Sequence, residues 1–263
     1  MSILGIVIAA MIVGGTGLFI GIFLGVAEKK FAVETDARED AILEILPGNN
    51  CGGCGYAGCA GLATAIVKGE AQTNACPVGG GALVSLINEI MGQETKEKAR
   101  EVAFVRCAGT KEKAKLDYDY YGTKNCTVMK FVQAEGPKGC KYGCHGYGTC
   151  VSVCPFDALH IVDGVAVVDA KACKACKKCI QSCPRNLISL VPYAQEQLVT
   201  CASKEAGKAV MQVCSTGCIG CKLCEKACKF DAIKVEDNLA AIDYEKCTNC
   251  AACKAKCPKK CII

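Results

Sequence analysis

Cys173-Lys-Ala-Cys176-Lys-Lys-Cys179-Ile-Gln-Ser-Cys183-Pro184 decides how this chain folds, and the same spacing returns as Cys247-Thr-Asn-Cys250-Ala-Ala-Cys253-Lys-Ala-Lys-Cys257-Pro258. Three cysteines two residues apart, a fourth three further on and then proline form the ligand run of paired four-iron clusters, in which the last cysteine serves the neighbouring cluster. A third run, Cys218, Cys221, Cys224 and Cys228, ends in Lys229 instead of proline. A fourth is stretched: Cys140, Cys144, Cys150 and Cys154 before Pro155. Thiolates in this pattern hold iron–sulfur clusters, and iron–sulfur clusters move single electrons.

The composition agrees. The chain has 263 residues and 25 cysteines, a density usual for small disulfide scaffolds. The spacing excludes that reading, and it excludes zinc, whose C-x2-C pairs stand far apart. Thiolate ligands also require a reducing compartment. The formal charge of +5 counts cysteine as neutral. Five bound clusters of about −2 each would bring it to roughly −5, so the basic balance gives no reason to expect nucleic-acid binding.

The crossed ligation rule pairs the runs. In residues 136–192, Cys140, Cys144, Cys150 and Cys183 are expected to hold one cluster, and Cys173, Cys176, Cys179 and Cys154 another. In residues 214–263 the sets are Cys218, Cys221, Cys224 and Cys257, then Cys247, Cys250, Cys253 and Cys228. Asp163-Gly164 between β-branched residues predicts a hairpin in the first module. Ala232–Val235 and Leu239–Ile242, around Glu236, Asp237 and Asn238, predict a second. The modules repeat each other, so duplication is the simplest organisation. His160 alternates within a strand and reads as structural. His145 follows a ligand directly, but four cysteines suffice without it.

Residues 35–92 read as a small helical unit. Asp36 is the expected N-cap of a helix over 37–46, broken by Pro47-Gly48-Asn49-Asn50. Helices are also expected over 59–67 and 82–91. Cys51, Cys54, Cys59 and Cys76 suit one more four-iron cluster. Gly53, Gly55 and Gly58 match a dinucleotide fingerprint, but no hydrophobic strand precedes them, so direct NAD binding is not expected.

Residues 1–30 read as a membrane anchor. Ile3 to Ala27 is an uncharged run of 25 residues, against the roughly 20 that cross a bilayer. Lys29 and Lys30 follow it, which places the cluster domains in the cytoplasm and the N-terminus outside. Gly17, Gly21 and Gly25 recur every fourth residue and offer a face for partner helices.

Residues 93–135 and 193–213 read as connecting segments. The first carries a strand over 102–105. Cys107, Cys126, Cys201, Cys214 and Cys261 fall outside the runs. Cys107, Cys126, Cys201 and Cys214 either hold a further metal or are buried free thiols. Lysines surround two runs: Lys171, Lys174, Lys177 and Lys178, then Lys246, Lys254, Lys256, Lys259 and Lys260. They read as a solvated face or as a docking surface for an acidic electron carrier.

The single N-terminal membrane helix, the CGGCGYAGC motif at 51–59 with Cys76-Pro77, and GCKYGCHGYGTCVSVCPFDAL at 139–159 resemble the B component (RnfB) of Rnf electron-transport complexes. The resemblance covers nearly the whole chain, and Lys229 in place of proline is a departure from the usual run. It implies an α+β protein with one transmembrane helix, a helical four-iron domain and tandem ferredoxin modules; the twenty cysteines of the runs and of the helical unit are expected to hold five [4Fe-4S] clusters in all. It also implies a component of a membrane-bound complex that couples electron transfer between reduced ferredoxin and NAD to movement of Na+ or H+. This component would accept electrons from soluble ferredoxin and pass them to other subunits, one of which holds the NAD site. The alternative is a membrane-tethered relay serving another redox enzyme, a hydrogenase or a corrinoid-reducing system.

Overall fold

The computed structural model describes residues 3–31 and 36–263, apart from the side chains of several positions in the first helix. That helix, α1 (Ile3–Phe31), runs 29 residues. Its described apolar side chains, Met11, Leu18, Phe19 and Phe23 among them, stand exposed. Counting the described residues alone, no helix is long and apolar enough to cross a membrane. The expected span therefore rests on the sequence of α1.

Three helices make the next unit. Asp36 caps α2 (Ala37–Ile45), its carboxylate accepting the Arg38 backbone N–H at 2.9 Å. α3 is Gly58–Val67 and α4 is Gly80–Met91. α4 stops at Gly92, whose φ of +62° suits a residue without a Cβ. Ile42, Leu62, Ile66 and Ile87 meet in a small, fully buried core.

Each ferredoxin module is a hairpin beside two short helices. In the first, α5 (Thr149–Ser152) and α6 (Lys178–Ser182) accompany β2 (Leu159–Val162) and β3 (Val165–Val168). Asp163 and Gly164 both take positive φ, as a tight two-residue turn demands. In the second module, α8 (Leu223–Ala227) and α9 (Ala252–Lys256) accompany β5 (Ile233–Glu236) and β6 (Leu239–Ile242). Asp237 and Asn238 make the equivalent turn. His160 lies exposed in β2.

The two expected connectors are built into the modules. β1 (Glu101–Val105) pairs antiparallel with β4 (Ile188–Pro192), which follows Cys183. In the second repeat, Val199 bridges Ile262, and Leu198 and Ile263 exchange backbone hydrogen bonds of 3.1 and 3.0 Å. α7 (Gly207–Val213) then leads into the Cys218 run. Each repeat therefore begins before its first cysteine run, with a strand that closes on its own end. An isolated hairpin is marginal in water. The added strand and the metal ligands supply what the thin apolar core lacks.

Candidate metal centres

In the helical domain Cys54, Cys59 and Cys76 pack against the Ile42–Ile87 core. Cys59 lies in the first turn of α3, where its backbone N–H donates to Asn50 Oδ1 at 2.8 Å. A Cβ at Gly58 would lie 2.8 Å from that same oxygen, so only glycine fits beside it. Burial pushes the Cys76 thiol up, and the neighbouring Cys54 and Cys51 sulfurs add to the rise. Cys51 and Cys54 thus stand near Cys76, and Cys59 packs on the same core as Cys54 and Cys76.

The second module keeps the crossed arrangement. Cys218, Cys221, Cys224 and Cys257 line one cavity of about 320 Å³. Cys228, Cys247, Cys250 and Cys253 line another of about 320 Å³. Crossing follows from the short helices: α8 carries Cys224 on one side of the hairpin and delivers Cys228 at its end to the other. Lys229 in place of proline leaves this intact. Backbone N–H groups point at the terminal sulfurs in both repeats, Leu187 to Cys183 Sγ and Ala232 to Cys228 Sγ, each at 3.4 Å. Such donors stabilise thiolate and orient a ligand. Gln195 Nε2 donates to Cys247 Sγ at 3.2 Å. Cys261 is buried beside the first of these sets, 3.6 Å from Cys257 Sγ. Its hydrogen bond pulls the Cys218 thiol down to about 6 and drives its own upward.

The first module keeps one expected set and changes the other. Cys154, Cys173, Cys176 and Cys179 stand together: burial pushes the Cys179 thiol up to about 11, and the other three sulfurs add to it. The Ala103 N–H of β1 donates to Cys173 Sγ at 3.4 Å. The remaining cavity, about 350 Å³, is lined by Cys126, Cys144, Cys150 and Cys183. Cys140 is not among them, contrary to the ligand rule applied to the run. Cys150 is pushed up to about 12 by burial first, then by Cys144, Cys126 and Cys183. Cys126 is held over α5 by its backbone N–H, which donates to Thr149 Oγ1 at 3.1 Å. The warning lay in the stretched spacing, since five residues between Cys144 and Cys150 cannot reproduce a tight C-x2-C turn.

Cys140 instead lies with Cys107, Cys201 and Cys214 around a cavity of about 390 Å³. The set expected for a further metal, Cys107, Cys126, Cys201 and Cys214, is therefore not brought together; Cys126 and Cys140 exchange places. Burial pushes the Cys140 thiol up, with Cys107 and Cys214 contributing next.

The donor chemistry around these cavities suits a cluster. Among the described residues, no three His, Cys, Asp or Glu side chains come close enough to hold a single metal ion. Buried donors also wait on the walls. His145 Nδ1 and Arg185 Nε, beside the Cys126 set, have no hydrogen-bond partner. Neither does Arg106 Nε, beside the Cys107 set. Inorganic sulfide accepts such hydrogen bonds. Burial, then Arg185 and Lys138, lower the His145 pKa to about 4.

The sites adjoin one another in a single series. A Cβ at Gly53 would lie 2.9 Å from Cys176 Cα, so the helical domain sits directly on the Cys154 set. That set shares α5 and α6 with the Cys126 set. The Cys144 N–H donates to Cys107 Sγ at 3.3 Å. Burial pushes the Cys201 thiol up to about 11, with Cys218 and Cys140 as charged neighbours. The last two sets share α8 and α9.

Comparison with known proteins places this architecture. Residues 46–78 match a family model for an Fe-S cluster, and residues 172–232 match the 4Fe-4S dicluster domain. The chain is 47% identical over 258 residues to the B component of the Na(+)-translocating ferredoxin:NAD(+) oxidoreductase complex of Acetobacterium woodii, covering 98% of this chain and 77% of that one. It is 43% identical to the B component of the ion-translocating oxidoreductase complex of Methanosarcina acetivorans, over 95% of both chains. It is 38% identical to the B component of the proton-translocating ferredoxin:NAD(+) oxidoreductase complex of Clostridium ljungdahlii, over 92% of this chain and 86% of that one. With cysteine-lined cavities in series and relatives matched along almost the whole chain, this protein belongs to the RnfB family, the B components of the ion-translocating Rnf oxidoreductase complexes.

Proposed function

We propose that this chain receives electrons from soluble reduced ferredoxin at its C-terminal module and conducts them toward the membrane subunits of an Rnf complex. The observation that carries the reading is the unbroken series of cysteine-lined sites from the C-terminus to the helical domain. Five four-iron clusters would be held by Cys51, Cys54, Cys59 and Cys76; by Cys154, Cys173, Cys176 and Cys179; by Cys126, Cys144, Cys150 and Cys183; by Cys218, Cys221, Cys224 and Cys257; and by Cys228, Cys247, Cys250 and Cys253. A four-iron cluster supplies storage for one electron at a time.

The protein's part is to bind, bury and tune. The C-terminal module is the open end: Cys221 and Cys250 are the two exposed cysteines among the described residues. Exposed Lys254, Lys256 and Lys260 stand beside them, and opposite charge speeds the encounter with an acidic carrier. Toward the helical domain Cys150, Cys173, Cys176 and Cys179 are all buried, which shields them from solvent. α1 would anchor this inner end. The support for that anchor is the uncharged run from Ile3 to Ala27, longer than the roughly 20 residues that cross a bilayer. With Lys29 and Lys30 at its C-terminal side, the clusters face the cytoplasm.

Membranes with and without this chain, given reduced ferredoxin and NAD, test the reading. NADH should form only in its presence, and the rate should fall steeply with salt. Equal rates in both membranes would overturn it.

A further inference from the structure

We propose that Cys107, Cys140, Cys201 and Cys214 hold a sixth four-iron cluster, one that joins the two ferredoxin modules. The inference rests on reading the other five sets as cluster ligands, and it adds a site outside both crossed pairs.

Four separate stretches of chain converge here, each pinned by backbone hydrogen bonds. Cys107 follows β1 and Cys201 follows the equivalent strand of the second repeat. The Ala108 N–H ties the two by donating to Thr200 O at 3.1 Å. Ala114 bridges Cys214, with Lys115 donating to Val213 O and Ser215 to Lys113 O, both at 2.8 Å. Gly139, just before Cys140, donates to Lys115 O at 3.0 Å. Nothing in a cysteine run forces these contacts; the fold brings the sulfurs together from four places.

The space between the sulfurs has the character of the neighbouring sites. Its lining repeats that of the sites around Cys126, Cys218 and Cys228, where four cysteines face one small cavity. Gly109 lines it, and a Cβ there would lie 3.6 Å from Cys107 Sγ and 3.7 Å from Cys214 Sγ, filling the cradle. The orphaned Arg106 Nε on the wall needs an acceptor that the protein does not provide.

The location gives the site its role. Cys107 accepts the Cys144 N–H of one module at 3.3 Å, and Cys201 stands near Cys218 of the other. A cluster held here would stand between the Cys218 set and the Cys126 set and could pass single electrons from one module to the other.

Iron, acid-labile sulfide and zinc measured on the oxygen-free holo-protein test this, together with Mössbauer spectra of Cys201→Ser. Six clusters require about 24 irons with as many sulfides, and the variant should hold about 20. A wild-type content of about 20 irons, unchanged in Cys201→Ser, overturns the proposal. So does one zinc beside about 20 irons. Iron near zero would instead sink the reading of the other five sets. Should Cys201→Ser fail to accumulate, the wild-type count still decides, and Cys214→Ser repeats the subtraction from another segment.

Discussion

Replacing Lys138 with methionine should lower the reduction potential of the centres beside it. Lys138 is 7% exposed, and its Nζ donates to Gly109 O at 2.6 Å and to Cys144 O at 2.7 Å. It therefore stands between the Cys107 set and the Cys126 set, each of which includes a residue whose carbonyl or loop it grips. Reduction adds one negative charge to a cluster, and a buried ammonium favours that charge. At roughly 8 Å and an effective dielectric near 20, the attraction is about 2 kcal/mol. For a one-electron couple that corresponds to about 90 mV, taking about 59 mV for each factor of ten. Methionine nearly matches the volume and removes the charge. It also strands two carbonyls, at a stability cost of about 1–3 kcal/mol for each that water cannot reach. A redox titration followed by low-temperature paramagnetic resonance should show one or two centres shifted to more negative potential by several tens of millivolts, with the others unmoved. A shift to more positive potential, or an equal shift in every centre, would refute the electrostatic argument. Lys138→Arg, which keeps the charge, should restore most of the potential.

Other outcomes follow from the same geometry. Gly53→Ala places a methyl 2.9 Å from Cys176 Cα and 3.0 Å from Cys176 O. It should loosen the helical domain from the first module at a cost of about 1–3 kcal/mol, seen as faster proteolysis near residues 92–100; unchanged digestion would argue against direct packing there. Cys126→Ala should remove about four irons, whereas a ligand set built on Cys140, Cys144, Cys150 and Cys183 would leave the iron content of Cys126→Ala untouched. Burial pushes Cys150 to about 12 and Cys179, Cys201 and Cys224 to about 11. Each must lose its proton to bind iron, so raised values make protons stronger competitors and reconstitution should become more complete from pH 7 to pH 9. A loading yield independent of pH across that range would count against thiol deprotonation as the limiting step.

The cluster chemistry was legible in the sequence because regular ligand runs are local. In C-x2-C-x2-C-x3-C the first three sulfurs belong to one turn of chain, and the short helix that follows carries the fourth to the neighbouring site. For Cys173, Cys176 and Cys179 and for the two runs of the second module, spacing alone names the expected neighbours, and the structure stands those cysteines side by side. The hairpins were equally legible, since Asp163-Gly164 and Asp237-Asn238 state their turn within two residues. Where spacing departs from the rule, local reading fails. The stretched run from Cys140 divides, with Cys144 and Cys150 joined by Cys126 from another segment and Cys140 joining Cys107, Cys201 and Cys214. Those four sulfurs meet only because β1 pairs with β4, residues 198–200 pair with 261–263, and the loops after these strands hydrogen-bond to each other. The residues of 93–135 and 193–213 carry no run and read as connectors for the same reason. Their contribution is long-range pairing, which sequence spacing does not encode and tertiary folding does.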